Sequence, residues 1–159
     1  MANFHSITWQ CLPFAELSLT QLYHAMHLRQ AVFVVEQDCP YQDLDGKDKK
    51  CYQLICRNGK GDIVATARIL PPGLAYSDAA AVGRVVIDDE IRGHGIGHEL
   101  MDRCIKFCSV EFGNSQIRIS AQKHLEQYYG KHDFLTTGNE YLEDGIPHVE
   151  MLFTPVNEN

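Results

Sequence analysis

The stretch from Val85 to Met101 constrains the fold of this chain more than any other. It reads as a short apolar strand, an acidic turn, a bend with glycines at alternate positions, and the start of an amphipathic helix. Gly93, Gly95 and Gly97 lack Cβ atoms, so a ligand backbone or a phosphate can approach them closely. Because a helix begins here, unpaired N–H groups and the positive end of the helix dipole point outward together. The stretch therefore predicts an anion site, most often one for a phosphate.

Strand and helix patterns alternate around this stretch. Predicted strands cover residues 7–12, 51–57, 63–70, 82–87, 116–121, 134–137 and 148–153. Predicted helices run from Ser18 or Thr20 toward Phe33, from the glycine bend to about Phe112, and from His124 to His132. Residues 36–48 and 138–147 are predicted as polar, acidic loop and turn segments, and residues 77–81 as a loop of small residues. This order predicts an α/β fold with a mixed sheet.

Composition and charge exclude several classes of protein. The chain has 159 residues, which favours one domain over residues 1–159 with a real hydrophobic core. No apolar run reaches the roughly 18–20 residues of a membrane span, and residues 1–6 carry no signal-peptide pattern, so we expect a cytoplasmic protein. A formal net charge of -7 argues against a nucleic-acid surface. The six cysteines form no C-x-x-C pair and the eight histidines are scattered, so no metal site is predicted.

The glycine bend fits neither of two common nucleotide fingerprints. A dinucleotide site needs G-x-G-x-x-G, but His98 stands where the third glycine belongs. A P-loop needs Lys followed by Ser or Thr after its last glycine, where this chain has His98-Glu99. The pattern that remains is Arg92-x-x-Gly95-x-Gly97.

This pattern resembles the R/Q-x-x-G-x-G/A motif of the GNAT N-acetyltransferase superfamily. Tyr129-x4-Phe134 resembles a second family pattern, although Asp133 replaces the usual glycine and Gln122 replaces an asparagine found in many members. Within the superfamily, segments 34–41, 43–48, 120–122 and 141–148 are similar to the ElaA-like acetyltransferases. The resemblance implies a GNAT fold: a mixed, twisted sheet of about six to seven strands with helices on both faces.

The resemblance also implies acetyl-CoA as the co-substrate, without a metal. Backbone N–H groups of the glycine bend would hold its pyrophosphate, and the Arg92 guanidinium would contact phosphate or order the loop. The pantetheine arm would lie in the gap where strands 82–87 and 116–121 separate, and an N–H near Ile87 would polarise the thioester carbonyl. The implied donor-binding residues are Val85, Val86, Ile87, Arg92, Gly93, His94, Gly95, Ile96, Gly97, His98 and Gln122.

Acetyl transfer to an amine needs a general acid and a route for the amine proton. By motif position Tyr129 is the acid, because a phenol with a pKa near ~10 suits a thiolate leaving group. The alternative is a core or surface tyrosine of an amphipathic helix without a catalytic role. Tyr128, about 100° away on an ideal helix, is the comparator. Glu36 and His148 are candidate bases, and a water relay without a single base is equally open.

The predicted reaction is acetyl transfer to a primary amine of a small molecule or peptide. A non-catalytic acyl-CoA-binding or interaction domain is the alternative.

Several acidic residues are candidates for a rim around the amine, or for solvated turns: Asp43, Asp45, Glu140, Glu143 and Asp144. Arg84, inside the motif strand, is expected to pair with a loop carboxylate such as Glu36. No membrane or nucleic-acid partner is predicted, and a homodimer is left open, as is the identity of the acceptor.

Overall fold

Seven strands form one mixed sheet in the computed structural model, which describes residues 6–157. The strands are β1 (Thr8–Pro13), β2 (Tyr52–Arg57), β3 (Ile63–Leu70), β4 (Ala79–Ile87), β5 (Gln116–Gln122), β6 (Leu135–Glu143) and β7 (Ile146–Phe153). Their order across the sheet is β1-β2-β3-β4-β5-β7-β6. The β4–β5 pair is parallel and the other pairs are antiparallel. The prediction of a mixed sheet of about six to seven strands is confirmed.

In the described part of the chain, three α-helices cover both faces of the sheet: α1 (Leu19–Gln30), α2 (Ile96–Phe112) and α3 (Glu126–Gly130). Ala25 and Leu28 of α1 pack against one face. Leu100 and Met101 of α2 pack against the other. Every residue of β3 is buried, because this strand lies under helices on both sides.

The first helix starts and ends for local reasons. The Ser18 hydroxyl accepts from the N–H of Gln21, and the Gln21 side chain accepts from the N–H of Ser18, which completes a capping box. After α1 the chain continues as a wider π-helical turn, Ala31–Glu36. This segment contains the β-branched run Val32, Val34 and Val35, which lowers α-helix propensity.

Two sequence predictions about turns and loops are wrong. Residues 138–147 are not an acidic turn, because β6 continues to Glu143 and the turn consists of Asp144 and Gly145, both at positive φ. β6 is an edge strand whose residues are mostly exposed, so it lacks the apolar alternation that marks a strand. Ala79–Ala81 belong to β4 rather than to a small-residue loop, and they are almost completely buried.

The same three alanines hold together the two halves of the sheet. Within residues 6–157, β4 pairs with β5 only where Ala79–Ala81 face 116–118. Beyond this point residues 82–87 of β4 and 119–122 of β5 separate and leave a gap. A bulge lies in β4 where it pairs with β3, on the side away from the gap: Arg84 has a φ of +51° and the register with β3 shifts between Thr66 and Arg68. The predicted separation of the two strands is confirmed.

A buried network of ion pairs folds the segment that follows the π-helical turn. Arg29 is 0% exposed; its Nε donates to Asp43 at 2.9 Å and its Nη1 donates to Asp48 at 2.6 Å. Asp43 also accepts from Nε of Arg84 at 2.6 Å. Arg84 therefore pairs with a loop carboxylate, but the partner is Asp43 and not Glu36.

A second bidentate pair extends the network. Both Nη groups of Arg68 donate to Asp45, at 2.8 and 2.7 Å. The hydrogen bond from Arg68 holds the pKa of Asp45 well below its usual range. Burial acts to raise the pKa of Asp43, yet Arg29 and Arg84 outweigh it and the pKa is lowered. Both carboxylates are therefore ionised at neutral pH, and both are used in ion pairs that hold the fold.

The network predicts a strong effect for Asp43→Asn. The change leaves the Arg29 and Arg84 guanidinium groups without their shared carboxylate, and breaking a buried pair costs about 3–5 kcal/mol. We expect the free energy of unfolding, measured by urea titration, to fall by about that amount.

Glu99→Gln is the matched control. Glu99 pairs with Arg103 four residues on in α2, and both side chains are about half exposed. We expect a loss below about 0.5 kcal/mol. Equal losses in the two variants would contradict the role given to the buried network.

Candidate active site

A cleft of about 870 Å³ follows the gap between β4 and β5. Its walls come from both strands, the π-helical turn, the segment after it, α3 and the β6–β7 turn. Gly97 lines it beside Ile87, the last residue of β4, whereas Arg68 lines it where β3 pairs with Gly83, nearer the middle of β4. A second cleft of about 800 Å³ between α1 and the β2–β3 turn contains none of the predicted site residues. The β4–β5 cleft is therefore the candidate active site.

The glycine bend at the start of α2 has the geometry of an anion site. Gly93 and Gly95 lie at φ angles of +82° and +81°, which side chains rarely adopt. Gly95 is the N-cap of α2 and supplies no side chain to the first turn. The N–H groups of that turn are therefore left for another partner. A Cβ on Gly97 would lie 3.2 Å from the Tyr128 hydroxyl, so this glycine allows the close approach of α3.

Arg92 does not point its guanidinium into open space. Its Nη groups donate to both carboxylate oxygens of Glu36, at 2.5 and 2.8 Å, and its Nε donates to the Ile87 carbonyl at 3.0 Å. The hydrogen bond from Arg92 lowers the pKa of Glu36. Two residues with separate predicted roles thus form one ion pair, which joins the π-helical turn to the end of β4.

Tyr129 and Tyr128 both line the cleft, from α3. Tyr129 is 7% exposed, and burial raises the pKa of its phenol well above the usual range, so it holds its proton at neutral pH. The Tyr128 hydroxyl donates to the Gly97 carbonyl at 2.5 Å. Tyr128 is therefore not an independent comparator, because it is bonded to the predicted donor-binding bend.

The segment after the π-helical turn crosses the cleft. The Gln122 amide donates to the Gln37 side chain at 3.3 Å. The Cys39 thiol donates to the Asp144 carbonyl at 3.8 Å. Residues 36–39 therefore run across the gap. The Glu36–Arg92 pair holds them at the β4 side, Gln122 at the β5 side, and the Asp144 carbonyl at the β6–β7 turn. We call residues 36–39 the crossing segment.

His148 reaches the same cleft from β7, where it is paired with Gln122 of β5. Its Nδ1 lies 2.7 Å from the Ile146 carbonyl, which only accepts, so Nδ1 carries a proton. Proton exchange is then left to Nε2, which lies 3.3 Å from a Glu143 carboxylate oxygen. The ring stacks on Tyr141, with centroids 6.0 Å apart.

The structure thus brings Tyr129, Glu36, His148 and Gln122 to one cleft. The predicted acidic residues divide. Asp43 and Asp45 belong to the ion network, and Glu140 pairs with Lys123. Only Glu143 and Asp144, of the predicted acidic rim, remain as carboxylates on the cleft edge beside His148.

Sequence reasoning missed two arginines in the cleft wall. Arg68 interrupts an apolar strand and Arg118 lies in β5, where it pairs with Glu150 at 3.0 Å. For Arg68 the available signal was a charged residue inside the otherwise uncharged and mostly apolar run Ile63–Leu70. Among residues 6–157 no group of three or more His, Cys, Asp or Glu side chains is arranged to hold a metal ion. No helix in that range is long and apolar enough to cross a membrane.

Comparison with known proteins identifies the family. Residues 21–154 match the family model described as an acetyltransferase (GNAT) domain. Protein ElaA of Escherichia coli K12 is 40% identical over 146 residues, which is 91% of this chain and 95% of that protein. The crystal structure of E. coli ElaA has a TM-score of 0.86 at 37% identity, covering 92% of this chain and 99% of that one.

A second solved structure agrees. An acyl-CoA N-acyltransferase from Pseudomonas aeruginosa has a TM-score of 0.87 and 39% identity over 92% of this chain and 99% of that one. The fold, the family model and these relatives together confirm the resemblance seen in the sequence. The chain belongs to the GNAT family of acyl-CoA-dependent N-acyltransferases and is ElaA-like.

Proposed function

We propose that this chain transfers an acetyl group from acetyl-CoA to a primary amine of a small molecule or peptide, by direct attack of the amine on the thioester. One observation carries the proposal. The gap between β4 and β5 has the open start of α2 at one end and the protonated phenol of Tyr129 in its wall.

The donor half follows from backbone chemistry. The N–H groups of the bend from Arg92 to His98, including those of His94 and Ile96, supply hydrogen bonds and a positive dipole for the diphosphate. Val85, Val86 and Ile87 offer a strand edge to the pantetheine arm, because β5 has moved away from it. An N–H near Ile87 then stabilises the oxyanion that forms when the amine attacks.

Tyr129 supplies the proton for the leaving thiolate. Its phenol is uncharged at neutral pH because burial raises its pKa. When the C–S bond breaks, the thiolate accepts the phenolic proton, and solvent later restores it. Gln122 lies at the end of β5 and holds the crossing segment against the β5 side of the cleft through its hydrogen bond to Gln37.

The two candidate bases differ in their surroundings. The Glu36 carboxylate accepts two hydrogen bonds from Arg92 and has a lowered pKa, so it is a poor base and acts by holding the crossing segment. His148 offers Nε2 to the cleft edge beside Glu143. It takes the proton from the ammonium group, directly or through water, before the amine attacks.

An acceptor screen tests the reaction. Acetyl-CoA is incubated with amino acids, polyamines, aminoglycosides and lysine peptides, and free thiol is measured. We expect at least one class of primary amine to release CoA well above the rate without amine. Binding of acetyl-CoA without thiol release from any acceptor would favour the non-catalytic alternative. Propionyl-CoA in the same assay measures the preference for the acetyl group.

Removing the Tyr129 hydroxyl should slow the chemical step. We expect Tyr129→Phe to lower kcat by about 10²-fold or more, the usual contribution of a general acid, while the Kd of acetyl-CoA stays unchanged. Tyr128→Phe should instead weaken acetyl-CoA binding, because it loses the bond to the Gly97 carbonyl. Unchanged kcat in Tyr129→Phe would leave this tyrosine with a packing role only.

The Arg92–Glu36 pair gives a prediction that separates two roles of Arg92. If Arg92 holds the crossing segment, Arg92→Gln and Glu36→Gln raise the KM of the acceptor by similar factors, and the double variant adds little. The Kd of acetyl-CoA changes by less than about threefold in each. A much weaker Kd in Arg92→Gln alone would show instead that the guanidinium binds phosphate.

A further inference from the structure

Two histidines and an aspartate form a hydrogen-bonded row beside the start of α2. Nδ1 of His98 lies 2.8 Å from Nε2 of His132, and Nδ1 of His132 lies 2.9 Å from a carboxylate oxygen of Asp102. His98 and Asp102 lie one turn apart on α2, whereas His132 follows α3. The row therefore connects the helix that begins at the glycine bend with the chain that carries Tyr129.

Hydrogen-bond chemistry fixes the direction of the row. The Asp102 carboxylate only accepts, so Nδ1 of His132 carries a proton and Nε2 of the neutral ring is an acceptor. Nδ1 of His98 must then donate to that acceptor. This leaves the lone pair of His98 on Nε2, the ring nitrogen that takes no part in the row.

The row can take up one proton without breaking. A proton added to Nε2 of His98 leaves the bond from its Nδ1 to His132 intact. A second proton, on Nε2 of His132, would place one N–H against another. The proton between Nδ1 of His98 and Nε2 of His132 can lie on either ring, so the single positive charge is shared by His98, the third residue of α2, and His132.

The groups that face His98 define the conditions for that charge. The Tyr128 ring lies 5.0 Å from the His98 ring and 5.6 Å from the His132 ring. Burial raises the pKa of the Tyr128 phenol well above its usual range, so it stays uncharged. Asp102, at the far end of the row, is mostly exposed. The positive end of the α2 dipole opposes a cation on His98, and an anion bound at the same place would reverse that balance.

We propose that His98, held in one tautomer by His132 and Asp102, takes up a proton from solvent when the diphosphate of acyl-CoA binds at the start of α2. The row of His98, His132 and Asp102 then carries one more proton beside the start of α2. This inference rests on the proposed donor site. It makes His132 and Asp102 positioning residues, and it predicts tighter donor binding at lower pH.

Calorimetry on the full chain measures the coupling directly. CoA is titrated near pH ~7.5 in buffers with different ionisation enthalpies, which reports the number of protons taken up. We expect wild type to take up a substantial fraction of one proton and His98→Gln to take up clearly less. The Kd of CoA for wild type should rise with pH between about 6.5 and 8.5, at most tenfold per unit, and the Kd for His98→Gln should rise less.

Two further variants and one spectrum complete the test. Asp102→Asn keeps a hydrogen-bond acceptor but removes the charge, so proton uptake should fall while the fold is kept. His27→Gln, on α1 and lining the second cleft rather than the candidate active site, should take up protons as wild type does. In imidazole ¹⁵N spectra of the free protein, recorded at a pH at which the spectra themselves report neutral rings, both His98 and His132 should carry their proton on Nδ1.

The outcomes separate this inference from the proposed function. Equal proton uptake by wild type and His98→Gln, with CoA still bound, overturns the role of His98 and leaves the donor site standing. The opposite tautomer for His98 overturns it as well. If CoA does not bind to wild type at any pH, the donor site itself is wrong and the inference falls with it.

Discussion

A guanidinium without solvent contact determines where one wall of the cleft stands. Arg29 is buried on α1, so its charge must be met by carboxylates, and these come from the chain after the π-helical turn. Asp43 is shared with Arg84, the residue at the bulge of β4. One network therefore holds both the cleft wall formed by the segment after the π-helical turn and the strand that bends away from β5. A loop without a hydrophobic core of its own is fixed in this way by electrostatics.

The residues proposed to bind the donor and those proposed to bind the acceptor line one continuous cleft. The crossing segment is bound at one end to Arg92, directly before the glycine bend, and at the other to Gln122 and the β6–β7 turn. Tyr128 bonds α3 to the same bend through the Gly97 carbonyl. Groups given to the donor side and to the acceptor side thus share partners. A substitution among the proposed donor-binding residues should therefore also shift the residues proposed for the acceptor, because a few short hydrogen bonds connect them.

Local chemistry made part of this structure predictable. The strand, glycine bend and helix from Val85 onward follow from residues that are neighbours in sequence, and so does the Ser18 cap. The partners of Arg92 and Arg84 lie 56 and 41 residues away, and no local pattern encodes such distances. The part of β6 after Thr137 was missed for another reason: an edge strand exposed to solvent has no need of apolar alternation. The roles of Tyr129, Glu36 and His148 came from the family motif and from general chemistry, and they remain proposals.

The short contact between β4 and β5 has a mechanical consequence. Three residue pairs join the two strands within residues 6–157. The sheet therefore consists of two parts, β1–β4 and β5–β7, which are hydrogen-bonded to each other at one end only. Ladder hydrogen bonds hold the two parts together only at Ala79–Ala81, and beyond these residues their spacing depends on the packing of α2 and α3. Bulkier side chains at these alanines would change the angle between the two parts of the sheet. The width of the gap between β4 and β5 would then change at a distance from the substitution.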